Sequence, residues 1–351
     1  MIETGYTRVG PMDVPLPPRD SGQFVAERSR DVSIEEEGVR KIAEMLYAIR
    51  VSQGSVLQSL KMMNTLTPSW STDQAIHWVF VVDTMNFSFW HPIGEKPCTI
   101  TYQGKTYSGY MALCAAITRA MDEDIPITEA SYMASVTLDE LKQILRSDNE
   151  TPMPMIEERH RVLNEAGKVL LRFGGSVRSF MAKGENDAKE LIKHTVESLP
   201  SYRDEVVFEG TQLAFYKRAQ ILVADFCVVM EARGEACIAN MHHLTMFADY
   251  RVPQALVHLG ALQYSDSLMS MLKKGLQLPS GDRREVEIRG CSIWCVEKIR
   301  AHLWSLIEES EGKPNEDINS AVIDFFLWSY AKEHQMQMAH IPIHLTRCIY
   351  Y

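Results

Sequence analysis

The chain has 351 residues, 46% hydrophobic and 23% charged, which is enough apolar material for a large core and too much for a disordered chain. Acidic residues outnumber basic ones by 46 to 36, and the net charge of −10 argues against a protein whose whole surface grips nucleic acid, though a local basic pocket for a phosphorylated ligand fits. Seven scattered cysteines without a CxxC pair imply reduced, buried thiols; with no apolar leader and no run near the ~20 residues of a membrane span, the expected location is cytoplasmic, nuclear placement staying open.

Residues 1–20 carry Pro11, Pro15, Pro17 and Pro18 and are expected as an extended arm. Residues 21–351 follow as a single compact unit, built as one body or as two packed helical lobes. Asp31 and Ser33 stand where they can cap a helix whose apolar face is Val39, Ile42, Leu46 and Ile49. Residues 74–82 read equally as a helix or a buried strand. Thr99–Tyr102, the pair Gln103-Gly104 and Lys105–Tyr107 predict a β-hairpin. Helices are expected over roughly 108–123, 137–147 with Thr137 as cap, 152–172 ending before Gly174-Gly175, and 186–198. The stretches 211–233 and 252–274 are apolar and periodic. Residues 283–309 predict a deeply buried helix through Ile288, Cys291, Ile293, Cys295 and Ile299, and 316–333 a last one. The fold class is mainly α with one small β-hairpin.

Several familiar chemistries fail on spacing. Gly104-Lys105-Thr106 looks like the end of a P-loop, but the pattern needs glycine at position 99, which is Thr, and the context is a hairpin. No HExxH occurs; His242 and His243 diverge as neighbours, and Pro342 separates His340 from His344, so no metal site is expected. No GxSxG elbow occurs either.

Four constellations remain. Asp83, Asn86, Phe87, Phe89 and Trp90 interleave polar groups with rings, a set that suits a planar heteroaromatic ligand or a structural aromatic cluster with capping polar groups. In Phe247-Ala-Asp249-Tyr-Arg251-Val-Pro253, Pro253 marks a helix start. Asp249 reads as an N-terminal anion or as a catalytic carboxylate, and on spacing alone the cap is the better reading. Lys217 and Arg218 open an apolar helix and either face solvent or bind an anion. Asp324 and Trp328 lie four residues apart, an acid beside a ring on one helix face, with Phe325 adjacent.

The segments WVFVVDTMNFSFW (78–90), YQGKTYSGY (102–110), EERHRVLNEAGKVLL (157–171), FYKRAQILVAD (215–225), TMFADYRVPQ (245–254), DRREVEIRGCSIWCVE (282–297) and RCIYY (347–351) together resemble the queuosine salvage protein family, also known as queuosine 5′-phosphate N-glycosylase/hydrolase. The resemblance spans nearly the whole chain beyond the Pro-rich arm. It implies a helical bundle similar to helix-hairpin-helix DNA glycosylases. It also implies hydrolysis of the N-glycosidic bond of queuosine 5′-monophosphate, releasing queuine for salvage into tRNA without metal or organic cofactor. Asp249 then serves beneath the anomeric carbon, as electrostatic stabiliser, nucleophile or orienter of water. Phe247, Asp324, Phe325 and Trp328 become candidates for the base, Lys217, Arg218 and Arg251 for the phosphate, and Asp83, Asn86 and Phe87 for completing or bracing the pocket. The chain departs from the family pattern at Asn64, where a histidine occurs, and at Ser329, where an acidic residue occurs; Asn64 is a further candidate contact to the base. The expected partner is a small molecule, with no membrane and no stable nucleic-acid partner. The rival reading is a non-catalytic, glycosylase-like module that binds queuine-modified tRNA or the free base, which would show a broad basic stripe and a steep salt dependence.

Overall fold

A computed structural model describes residues 14–53, 66, 71–312 and 318–351. The arm gives way to helix sooner than its prolines suggest. Leu16 bridges Leu213, Pro17 is extended, and helix α1 (Pro18–Ala26) starts on a proline, whose missing N–H costs nothing at the first helical position. Strand β1 (Val32–Ile34) and helix α2 (Glu36–Gln53) follow. Asp31 and Ser33 do not cap α2: Asp31 accepts from the Ser265 hydroxyl, and Ser33 sits in β1 with its hydroxyl on Glu35.

The ambiguous stretch at 74–82 is helical, part of α3 (Thr72–Thr84), closed by a capping box between Ser71 and Gln74. Strands β2 (Thr99–Tyr102) and β3 (Lys105–Ser108) form the expected hairpin, Thr99 opposite Ser108. Gln103 and Gly104 both take positive φ, the two-residue turn that matches strand twist. Then come α4 (Tyr110–Asp122), α5 (Ala130–Ser135), α6 (Leu138–Ile144) with the capping box of Thr137 and Glu140, α7 (Ile156–Leu171), α8 (Val177–Met181) and α9 (Ala188–Ser198).

The stretch 211–233 is not one helix. Strands β4 (Glu205–Phe208) and β5 (Thr211–Ala214) pair around Glu209 and Gly210, and only then does α10 (Lys217–Glu231) begin. Residues 252–274 divide likewise at Gly260 into α11 (Val252–His258), β6 (Leu262–Tyr264), which pairs antiparallel with β1, and α12 (Asp266–Lys273). Helix α13 (Arg283–Glu311) is the long buried one. Helix α14 (Ser320–Glu333) starts at Ser320 because Asn319 caps it, its side chain accepting from Val322 N–H. Among the described residues, no helix is long and apolar enough to cross a membrane.

Two apolar clusters hold these elements. One gathers α3 to α10 around Trp78, Phe80, Leu163, Phe180, Leu222 and Phe226; the other gathers α1, α2 and α11 to α14 around Val25, Ile42, Leu46, Leu256, Ile299 and Leu327. Each such side chain contributes about 1.5–3 kcal/mol by leaving water. The chain between α10 and α11 runs along the seam: Leu244 and Phe247 belong to the first cluster, Met246 and Ala248 to the second. Over Met246, Phe247 and Ala248 successive side chains turn to alternate clusters, as extended backbone makes them, so one short segment serves both cores. It delivers Asp249 to the seam.

Candidate active site

The segment that follows α3, Met85 to Trp90, is irregular and buried, so its carbonyls need donors. Three distant arginines supply them. Arg159 of α7 donates to the carbonyls of Met85 and Phe87, Arg218 of α10 to that of Thr84, and Arg347 near the C-terminus to that of Ser88 at 3.1 Å. Arg218 also donates to the Ser201 carbonyl, and its guanidinium lies 4.3 Å from the Tyr202 ring centre. Every one of these arginines sits in a segment that carried the family resemblance.

This arrangement places three of the sequence candidates behind the cavity wall and not in it. Arg218 is buried and committed to backbone, so it is not positioned to hold a phosphate. Phe87 is fully buried between Arg159 and Arg218, their guanidinium carbons 4.5 and 5.2 Å from its ring centre, and does not line the cavity. Asp83 is likewise behind the wall; Asn86 Nδ2 donates to its Oδ1 at 3.3 Å, while Oδ2 has no hydrogen-bond partner.

The cavity itself is about 900 Å³ and opens where the two cores meet. It brings together Asn86, Lys217, Phe247, Asp249, Arg251, Asp324, Phe325 and Trp328 from the sequence candidates. Asn64 lies outside the described residues. Helix α14 lines the cavity with Asp324, Trp328 and Lys332, spaced four apart and so stacked on one face. Helix α10 does the same with Lys217, Ile221 and Asp225. Lys332 and Asp225 escaped the sequence reading; one further four-residue step from Trp328 reaches the first, and two such steps from Lys217 reach the second. Aromatic edges pack the walls: Tyr110 meets Phe89 at 6.4 Å and Trp328 at 6.5 Å between ring centres, and Phe247 meets Phe325 at 5.7 Å.

Asp249 is held from below. Arg251 N–H and Val252 N–H donate to Oδ1 at 2.8 and 2.9 Å. Both roles weighed on the sequence are therefore compatible: the carboxylate meets the orphan donors at the start of α11 with one oxygen, and Oδ2 remains to face a substrate. One residue upstream, Arg289 Nε donates to the Ala248 carbonyl at 3.0 Å. The same guanidinium grips Asp204 in a fork at 2.9 and 2.6 Å, and Asp204 in turn accepts from the Lys217 N–H at 3.1 Å. One buried ion pair thus fixes both the Asp249 loop and the first residue of α10.

Charge inside the cavity is uneven. Burial holds the Asp324 carboxyl well above its ordinary range, reinforced by the nearby Asp249, although Phe247 N–H donates to its Oδ1 at 2.9 Å. Burial lowers the Lys217 ammonium, which faces Asp249, Asp83 and Asp324. Burial also lowers Lys332, with Arg251 as the second cause, so these two cations share one side of the cavity. Lys332 Nζ stands 5.2 Å from the Trp328 ring centre, and Arg251 is tethered to Gln254 Oε1 at 2.8 Å. Arg251 and Lys332 therefore form a cationic pair beside the acidic and aromatic groups.

The expectation that all thiols are reduced meets a correction: Cys227 and Cys237 are joined, α10 to the loop after it, because the turn at Gly234 folds the chain back onto the helix. Cys98, Cys114, Cys291, Cys295 and Cys348 are free and buried. Among the described residues, Cys227, Glu231 and Cys237 bring potential metal-ligand atoms within 4.8 Å of one another, but the two sulfurs are already bonded to each other.

With this geometry in view, the chain can be set beside known proteins. Residues 66–351 match the family described as Queuosine salvage protein. The chain belongs to that family. Over 97% of its length it is 53% identical to the whole of a Bos taurus protein named Queuosine 5′-phosphate N-glycosylase/hydrolase, and 52% identical to its Mus musculus counterpart over the same share. A Schizosaccharomyces pombe protein of the same name is 35% identical over 94% of this chain and 98% of its own length. Arg159, Arg218, Arg289 and Arg347 all lie within the matched residues.

Proposed function

We propose that the chain hydrolyses the N-glycosidic bond of queuosine 5′-phosphate, releasing queuine and ribose 5-phosphate, with the two packed cores acting as one catalytic unit. The observation that carries this reading is Asp249, oriented by two backbone N–H groups into a cavity with aromatic walls and a cationic side. As the C1′–N bond lengthens, positive charge grows on the ribose, and a fixed carboxylate in a water-poor site stabilises it far better than solvent can. Asp249 holds the attacking water, whose hydroxyl goes to C1′ while its proton passes by way of the carboxylate to the departing base. The base is a 7-deazapurine without N7, so help to the leaving group comes at the pyrimidinone edge. Asp324, whose carboxyl burial pushes toward the protonated form, suits a hydrogen-bond donor there. Phe247, Phe325 and Trp328 supply stacking faces, and Arg251 with Lys332 takes the 5′-phosphate in place of Arg218.

The test is release of free base from queuosine 5′-phosphate, followed by mass. Asp249→Asn, isosteric and still able to accept the two N–H bonds, should lower turnover by about a hundredfold to a thousandfold while ligand binding persists. Turnover like the wild type in that variant would overturn the assignment, and a wild-type protein that binds but releases no base would be a binding module.

A further inference from the structure

We propose that Asp225 is the carboxylate that receives a cationic substituent carried by the base, and so decides which 7-deazaguanine nucleotides the cavity accepts. The inference rests on the glycosidase reading above and deepens it. Among the described residues, five carboxylates line the cavity: Glu95, Asp225, Glu231, Asp249 and Asp324. Asp249 is committed to the ribose. Asp324 has one oxygen on the Phe247 N–H and borders Asp249. Glu95 and Glu231 are exposed, where an ion pair is worth little. Asp225 combines access to the cavity and a desolvated setting with no backbone N–H donor or sugar role assigned to it above.

Its surroundings are built for a charge that arrives with the ligand. Tyr110 hydrogen-bonds to the carboxyl from α4 and is itself fixed by Phe89 and Trp328. Behind it, from α3, lies Asp83 with its fully buried, unpartnered Oδ2. From its own helix only Lys217 offers a cation, and that ammonium also faces Asp249 and Asp324. Burial accordingly raises Asp225 to about 7, and Asp83 is raised by burial and by Asp225. Arg218 also bears on Asp83, but its end nitrogens are held by the Thr84 and Ser201 carbonyls, so Lys217 is the cation that Asp225 itself faces and the wall stays short of positive charge. The secondary amine on the aminomethyl arm of queuine supplies it, and pairing in a desolvated site strengthens each hydrogen bond it makes. Its arrival favours the ionised form of Asp225, so binding of the cationic base should release protons near neutral pH.

Direct calorimetry on the intact protein tests this with two free bases: queuine, and 7-cyano-7-deazaguanine, which has the same bicycle with an uncharged substituent. The wild type should prefer queuine by about tenfold to a hundredfold, the range of a hydrogen bond to a charged partner. The preference should grow as pH rises through about 7, where Asp225 ionises. Titrations in buffers of different ionisation enthalpy should show proton release with queuine alone. Asp225→Asn should bring the two affinities together and abolish the release, while binding of the cyano base shows that the pocket is intact. An unchanged preference in that variant, or a wild-type preference that does not vary with pH, overturns the role of Asp225 even if queuosine 5′-phosphate is still cleaved. Failure of the wild type to bind either base or to cleave the nucleotide would instead count against the glycosidase reading.

Discussion

Two walls of the same cavity use arginine and lysine in opposite ways. Behind the Met85–Trp90 segment, Arg159, Arg218 and Arg347 each spend their donors on main-chain carbonyls, and aromatic rings cover them. Across the cavity, Arg251 and Lys332 have mainly each other, a glutamine and a tryptophan ring for company. A guanidinium whose end nitrogens are held by backbone carbonyls behind the wall is scaffold, since those donors are turned away from the cavity. Cations that repel one another at an open surface are waiting for an anion. The adjacent pair Lys217-Arg218 shows how sharp the division is: successive residues on a helix point about 100° apart, so one reaches the carboxylates in the cavity and the other the carbonyls behind it.

The largest test of this contrast is Arg218→Ala. It strands the Thr84 and Ser201 carbonyls and should cost about 3–5 kcal/mol in urea unfolding, with activity lost only in proportion to unfolding. If Arg218→Ala kept its stability but lost affinity for phosphorylated substrate, the scaffold reading would be wrong. On the other wall, Arg251→Ala or Lys332→Ala should leave stability within about 1 kcal/mol. Each should raise KM for the 5′-phosphate by about tenfold to a hundredfold, with little effect on the unphosphorylated nucleoside. An equal loss on both substrates would place the phosphate elsewhere.

The last test reads the dependence of stability on pH. Asp225 binds its proton more tightly folded than unfolded, so the folded state is favoured at acid pH. That advantage is lost progressively between the ordinary value of 3.8 and about 7, then levels off. Asp225→Asn should flatten this fall between pH 4 and 7, read from Tm in matched buffers; an unchanged slope would show that the carboxyl is not desolvated.

Much of this architecture is legible in one dimension. The Gln103-Gly104 turn, the Thr137 cap, the proline that opens α11 and the four-residue stripe from Asp324 to Trp328 are local matters, governed by φ preference, hydrogen-bond reach and helical period over a few residues. Residue pattern also brought Asp249 forward, and resemblance gave it a role. The strand pair at 205–214 was missed because its apolar residues continue smoothly into those of α10, and periodicity alone does not mark where a strand ends. The joined Cys227 and Cys237 were missed because spacing says nothing of a chain folding back on itself.

What the amino-acid order determined, then, was the set of helices and hairpins, their caps, and a short roster of polar residues too deeply embedded in apolar sequence to be idle. Only the tertiary structure decided which of those residues meet. Arg159 and Arg218 lie 74 and 134 positions from the carbonyls they hold, and Arg289 lies 41 from the Ala248 carbonyl beside the candidate catalytic carboxylate. The physical reason is that burial fixes only that a charged group must find partners, whereas the identity of those partners follows from how two cores pack along a shared seam, a property of the whole chain.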